Sequence, residues 1–203
     1  MARRHYRDRT AALGGHARDP RQIARGKTEG QGSTTRDSHR GAHSSRSVDR
    51  EGTPLIARFF ALDTSCMVAA VCSWHARHAA AAAEIERRLN GGERLAIAAH
   101  AIVETYAVLT RLPAPHRLAP ADAWALVRTN FVDHAALVTL DGAANVAVLA
   151  RFASAGIGGG RTYDGLIAAC AGSSRARALL TFNSRHFDPP PDGVAIVEPT
   201  DPD

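Results

Sequence analysis

The sequence predicts an α/β protein in which helices cover both faces of a parallel sheet. The prediction depends on two observations. Short apolar segments alternate with longer segments of helical character from about Leu55 onward, and the residues before it contain neither. A chain of 203 residues has room for one domain with its own core and a tail, so we assign the domain to residues 59–203.

Residues 1–58 consist mainly of Gly, Ser, Thr, Arg, His and Asp. Such a segment buries too little apolar surface to offset its ordering entropy, which predicts a disordered tail. The tail holds 13 Lys and Arg against 6 Asp and Glu, a net charge of +7, whereas residues 59–203 hold 12 against 14, a net of −2. A basic arm that adds salt-sensitive affinity for RNA stays open as an alternative.

The first predicted strand is the apolar run that begins near Leu55 and ends at Asp63. Residues 67–89 follow as one predicted helix, because they are rich in Ala and carry charged residues on one side. The Asn-Gly-Gly sequence at 90–92 is a typical helix stop.

The later elements are predicted from apolar periodicity and from the Pro and Gly residues that separate them. In chain order they are a strand at 94–99, a helix at 100–112, a helix from Pro120 to residue 130, a strand at 135–140, a helix at 143–155 with Asp141 as its N-cap, a helix at 163–171, and strands at 178–182 and 194–197.

The cysteines and the apolar runs indicate the cellular compartment. Cys66, Cys72 and Cys170 are an odd number without CxxC spacing, so we expect buried apolar residues and neither a disulfide framework nor a zinc site. No run reaches the roughly 18 apolar residues of a membrane span, and no apolar stretch of a secretory signal follows the Arg-rich start. We therefore expect a cytoplasmic protein.

Acidic and amide residues stand where an open parallel sheet binds ligands, beyond the carboxyl ends of its strands. Asp63 ends the first strand, Asp164 opens a helix after the glycine-rich segment at 156–160, and Asn183 follows the fourth strand. Glu104 lies in an otherwise apolar helix surface. Singly they could be helix caps, turn residues or the edge of an apolar stripe. Together they would repel one another unless a hard cation such as Mg²⁺ or Mn²⁺ lay between them.

The chemistry that follows from such a site is phosphodiester hydrolysis, in which the metal activates water and neutralises charge on the phosphate. No nucleophilic side chain is required, and no G-x-S-x-G motif is present. The glycine-rich segment lacks the terminal Lys-Ser/Thr of a phosphate loop and follows a helix.

From Phe59 to Val197, about two thirds of the chain, the sequence resembles PIN-domain endoribonucleases, in particular the VapC toxins of bacterial toxin–antitoxin pairs. The matching motifs are Ala-Leu-Asp-Thr-Ser at 61–65, Val-Glu at 103–104, Tyr-Asp-Gly-Leu-Ile-Ala-Ala at 163–169 and Leu-Leu-Thr-Phe-Asn-Ser-Arg-His-Phe at 179–187. The resemblance implies a three-layer α/β/α fold with strand order 3-2-1-4-5.

The resemblance also implies a Mg²⁺ or Mn²⁺ site held by Asp63, Glu104 and Asp164, which match the acidic positions of the family. Asn183 matches a fourth catalytic position that is Asp in some members and Asn in others, and its neutral charge should weaken a second metal site.

Several neighbouring residues are expected to assist the site. The hydroxyls of Thr64, Ser65 and Thr181 would orient carboxylates and water, although they could also be ordinary cap and turn residues. The residues that could contact the RNA phosphates are Arg161, Arg185 and His186. Trp74 and Trp124 are interpreted as core or dimer-contact residues in preference to base-stacking platforms.

The resemblance implies partners as well: an RNA substrate, a second copy in a homodimer, and a cognate antitoxin that covers the acidic site, where an inserted Arg would pair with carboxylates. Two rival functions stay open. One is a phosphatase-like metal-dependent hydrolase, although the Asp-Thr-Ser sequence at 63–65 lacks the second Asp of a D-x-D motif. The other is a non-catalytic RNA- or protein-binding PIN module.

Overall fold

The computed structural model describes residues 58–202. The predicted disordered tail falls almost wholly outside these residues and stays a prediction. Five strands lie in the described part: β1 (Phe59–Leu62), β2 (Arg94–Ala98), β3 (Ala136–Val138), β4 (Ala176–Leu180) and β5 (Ala195–Val197). Its α-helices are α1 (Thr64–Val71), α2 (His78–Asn90), α3 (Ala99–Arg111), α4 (Pro120–Val127), α5 (Gly142–Ser154) and α6 (Arg161–Ser173). A π-helical turn (Arg128–Val132) extends α4, and a 3-10 helix (Ser184–Phe187) follows β4.

The strands form one parallel sheet in the order β3-β2-β1-β4-β5. This confirms the predicted α/β class and strand order. The central strands β1 and β4 are buried almost throughout, as expected where helices cover both faces. Most predicted boundaries agree with the structure to within about two residues, which is the ordinary uncertainty at element ends.

The prediction of one helix at 67–89 is wrong, because the chain breaks at residues 72–77 and forms α1 and α2. Cys72 adopts an extended conformation, although no Gly or Pro is present at the break. Tertiary packing explains it: α1 packs against both α2 and α3, and the His78 ring, at the start of α2, lies 3.0 Å from the Ala69 carbonyl. Packing therefore overrides the helix propensity of the alanines.

The apolar core lies between the sheet and its helices and contains all three cysteines, which confirms the prediction that they are buried apolar residues. Burial raises the pKa of the Cys72 thiol to about 11. Trp74 and Trp124 are each 47% exposed, so the interpretation of either as a core residue is wrong. Within residues 58–202 no helix is both long and apolar enough to cross a membrane.

Candidate active site

The sheet register brings two site residues side by side at its carboxyl edge. Leu62 of β1 pairs with Leu180 of β4, so Asp63 and Thr181 each follow the end of a paired strand. The Asp63 N–H donates to the Leu180 carbonyl at 2.9 Å, which continues the sheet contact by one residue. Backbone pairing therefore fixes the position of Asp63 independently of its side-chain contacts.

The Asp63 carboxylate is buried, with 2% exposure, and is held by three hydrogen bonds. Its Oδ2 accepts from the Ser65 hydroxyl at 2.6 Å, the Thr181 hydroxyl at 2.9 Å and the Ser65 backbone N–H at 3.3 Å. The last bond makes Asp63 the N-cap of α1. None of these bonds uses Oδ1. One oxygen is thus held by the protein while the other takes no part in that network.

The hydroxyls around Asp63 are themselves oriented by the start of the next loop. The Phe182 N–H donates to the Ser65 hydroxyl at 3.0 Å, and the Asn183 N–H donates to the Thr181 hydroxyl at 2.9 Å. Each hydroxyl that accepts such a bond has its proton free to donate to Asp63. Ser65 and Thr181 therefore act as fixed donors to one carboxylate oxygen.

Glu104 is held by the residue next to Asp63. The Thr64 hydroxyl donates to Glu104 Oε2 at 2.7 Å across the contact between α1 and α3. Thr64 and Ser65 are the first two residues of α1, so one helix start orients two carboxylates at once. All three hydroxyl residues that the sequence singled out lie in hydrogen bonds to predicted site carboxylates.

Asp164 lies in the first turn of α6, and its side chain is 18% exposed. Its Oδ2 lies 3.1 Å from Nδ1 of His186, which stands in the 3-10 helix after β4. Burial, followed by the negative charge of Asp63, raises the pKa of the Asp164 carboxyl, and Glu104 adds to the increase while His186 opposes it. The three predicted carboxylates therefore interact through their charges within one site.

Helix α6 is held close to α5 by the residue that follows Asp164. A Cβ placed on Gly165 would lie 2.1 Å from Cζ of the Phe152 ring, so only Gly permits the ring of α5 to lie against the backbone of α6. The loop between the two helices turns through Gly156 and Gly159, both with positive φ. Small residues thus set the position of the Asp164 helix.

The remaining predicted residues are more exposed. Asn183 precedes the 3-10 helix, and its carbonyl accepts from the His186 N–H at 2.8 Å, which matches the turn interpretation of this residue. Arg185 is exposed in the same helix. Arg161 is exposed at the start of α6 and reaches the Asp188 carbonyl at 3.4 Å. Contact of these side chains with RNA stays a prediction.

The donor set fits a hard divalent cation, because it consists of carboxylate oxygens whose mutual repulsion a positive charge would relieve. In the observed side-chain arrangement, however, no three His, Cys, Asp or Glu residues among 58–202 are grouped as the ligands of one ion. Asp164 pairs with His186, and one oxygen of Asp63 is engaged by hydroxyls. The assignment of Asp63, Glu104 and Asp164 as metal ligands accordingly stays a prediction.

An aromatic pair that was not predicted from the sequence lies at the border of this site. The rings of His100 and Tyr163 stack with their centroids 5.0 Å apart and an interplanar angle of 14°. Two sequence signals could have identified the pair: Tyr163 directly precedes Asp164, and His100 stands four residues before Glu104, a spacing that places both on one helix face.

A family model described as the PIN domain matches residues 60–189. Ribonuclease VapC40 of Mycobacterium tuberculosis is 40% identical over 123 residues, which cover 61% of this chain and 85% of that protein. Ribonuclease VapC27 of the same organism is 38% identical over 128 residues, which cover 63% of this chain and 87% of that protein.

Solved structures share the fold. The DNA-bound VapBC of Salmonella typhimurium matches with a TM-score of 0.51 at 23% identity and covers 70% of this chain and 98% of that chain. VapC20 of Mycobacterium tuberculosis, described as a Sarcin-Ricin loop cleaving toxin, matches with a TM-score of 0.51 at 17% identity and covers 66% and 98%. The family model spans more than half of the chain and the two ribonucleases match along most of their own length, so the chain belongs to the PIN-domain family, in its VapC group.

Proposed function

We propose that this protein is a metal-dependent endoribonuclease that acts as the toxin of a type II toxin–antitoxin pair. The observation that carries the proposal is the joint placement of Asp63, Glu104 and Asp164 at the carboxyl edge of the sheet, where burial first, and then the charges of Asp63 and Glu104, raise the pKa of Asp164. The two relatives named as ribonucleases support the same activity.

Mg²⁺ or Mn²⁺ would be held by Asp63, Glu104 and Asp164, and when bound it supplies activated water and positive charge against the phosphate. The chain's own residues prepare the site. Ser65 and Thr181 hold one oxygen of Asp63 and so fix its orientation, and Thr64 does the same for Glu104. Asn183 offers a neutral carbonyl oxygen at the fourth catalytic position. Since no side chain is required as nucleophile, hydrolysis by water is the reaction class.

The proposal includes a cognate antitoxin that covers the acidic site. A guanidinium inserted among these carboxylates would satisfy them with paired hydrogen bonds. An inserted Arg and the metal would meet the same oxygens, so we expect their binding to compete. Because RNA substrate and antitoxin are both made in the cytoplasm, the proposal places the toxin there too.

The proposal also includes a homodimer, and the exposed face of α5 supports it. Val146 is 68% exposed and Leu149 49% exposed. Both belong to a face that is otherwise mainly alanine, namely Ala143, Ala147, Ala150 and Ala153, all exposed. A second copy of the chain that packs against this face would remove its apolar side chains from water.

The test is cleavage of total cellular RNA by the purified full-length protein, with Mg²⁺ or Mn²⁺ against EDTA. Asp63→Asn and Asp164→Ala should each reduce cleavage by roughly a hundredfold or more, because each removes a charged oxygen ligand. Asp141→Asn is the matched control, since Asp141 caps α5 as Asp63 caps α1 and Asn preserves a cap in both.

Discrete cuts that require the metal, Asp63 and Asp164 but not Asp141 would support the ribonuclease. RNA binding without cleavage would favour a non-catalytic binding module, and hydrolysis of small phosphate esters alone would favour a phosphatase-like enzyme. Equal loss in Asp141→Asn would count against the assigned site.

A further inference from the structure

The stacked rings of His100 and Tyr163 form an exposed aromatic surface outside the core. Tyr163 is 49% exposed, so part of its ring remains open to solvent while the His100 ring lies nearly parallel to it. His100 belongs to the first turn of α3 and Tyr163 to the first turn of α6. The pair therefore links two helix starts at the carboxyl edge of the sheet.

The same helix turns that place the rings place the carboxylates. Tyr163 directly precedes Asp164, and His100 lies on the same face of α3 as Glu104, one turn earlier. Helices α3 and α6 also pack against each other, and the ring stack joins their starts. The ring pair accordingly borders the site where the phosphate would react.

Charge gives a reason why the domain would use rings to bind RNA. Residues 59–203 carry 12 Lys and Arg against 14 Asp and Glu, a net charge of −2. Phosphate contacts by cations supply most non-specific affinity for nucleic acid, and these residues offer no net positive charge for them. Base stacking on aromatic side chains is the alternative that works for any sequence.

We propose that the His100–Tyr163 pair is a stacking platform that binds an unpaired nucleobase of single-stranded RNA beside the phosphate that is cleaved. The inference rests on the proposed ribonuclease function and deepens it, because it assigns two substrate-binding residues. A base within a duplex has no free face for Tyr163, so the platform selects for single-stranded RNA.

The experiment measures binding of a short, fluorescently labelled single-stranded RNA that contains a cleavage sequence mapped with the parent enzyme. The full-length Asp63→Asn variant serves as background, so that the RNA stays intact. Adding Tyr163→Leu should weaken binding about tenfold, because stacking on one ring contributes that much. Adding Tyr163→Phe instead, which keeps the ring, should restore most of the affinity.

A scan with abasic nucleotides identifies the stacked base. At one position, removal of the base should weaken binding to the background variant about tenfold. With the RNA that lacks this base, adding Tyr163→Leu should not weaken binding any further, because the stacking contact is already lost. Trp74→Leu is the matched control, since Trp74 is similarly exposed and also stacks on a histidine, His116, with ring centroids 3.9 Å apart. It should leave RNA affinity unchanged.

Three results would overturn the platform while the ribonuclease stands: unchanged affinity in Tyr163→Leu, an equal loss in Trp74→Leu, or an abasic scan in which no position matters. The scan uses the unaltered rings and decides the question even if Tyr163→Leu folds poorly. Absence of metal-dependent cleavage by the parent would instead remove the proposed function, and the platform with it.

Discussion

The two sides of the site differ in how far the protein compensates the negative charge of their carboxylates. Asp63, between β1 and β4, is buried and accepts three hydrogen bonds from fixed donors. Asp164, on α6, is more exposed, with 18% of its side chain open to solvent, has His186 as its neighbour and carries a raised pKa. The protein thus stabilises one negative charge by itself and leaves the other partly uncompensated. A positive charge that entered the site would therefore relieve repulsion chiefly at Asp164.

The largest change in stability is expected from a substitution that removes the Asp63 carboxylate. Asp63→Ala removes the N-cap of α1 and the acceptor of the Ser65 and Thr181 hydroxyls, so the free energy of unfolding should fall by about 2–4 kcal/mol. Urea unfolding of the metal-free protein measures it. Asp164→Ala is the control and should cost far less. Equal losses from the two variants would mean that the protein stabilises the Asp63 and Asp164 carboxylates to the same extent.

A smaller effect is expected from the packing of α6. Gly165→Ala forces the Phe152 ring away, and the free energy of unfolding should fall by about 1 kcal/mol, despite the helix propensity gained on replacing Gly by Ala. The double variant with Phe152→Leu, which has a smaller side chain, should recover part of the loss. A more stable Gly165→Ala protein would show that the Phe152 ring moves aside for the added methyl group without a loss of packing.

The smallest effect has the opposite sign. Burial and Asp63 raise the pKa of Asp164 in the folded state, so the charged carboxylate destabilises the metal-free protein as the pH rises through that pKa. Asp164→Asn should therefore increase the melting temperature by a few degrees at neutral pH. The difference should shrink toward about pH 3, below the unfolded-state pKa of roughly 3.9, where Asp164 is mostly protonated in both states. Melting curves in EDTA across this range measure it, and a difference independent of pH would contradict the assigned cause.

The order of the elements could be predicted because apolar periodicity and the Gly and Pro residues are local properties of the sequence. The break between α1 and α2 could not, because a run of good helix formers conceals a turn that only packing against neighbouring helices requires. Strand order came from the family resemblance, since no local pattern specifies which strands pair.

Candidate site residues could be predicted in the same way, because Asp63 and Asp164 stand at element boundaries that the sequence marks. What escaped prediction was their environment. The contact of His186 with Asp164 and the stack of His100 on Tyr163 join residues 22 and 63 positions apart, and each depends on the angle at which helices meet the sheet. The sequence shows which side chains could form a site, whereas the groups that compensate their charges depend on the tertiary structure.

The hydrogen bond from Thr181 to Asp63 joins residues 118 positions apart. The first carboxylate of the site therefore acquires its orientation only after β4 has been synthesised and has paired with β1. A nascent chain that ends before β4 lacks that strand, so its site is incomplete. The carboxylate can therefore take up its oriented state only after most of the domain has been synthesised, and a fragment without β4 cannot contain the site.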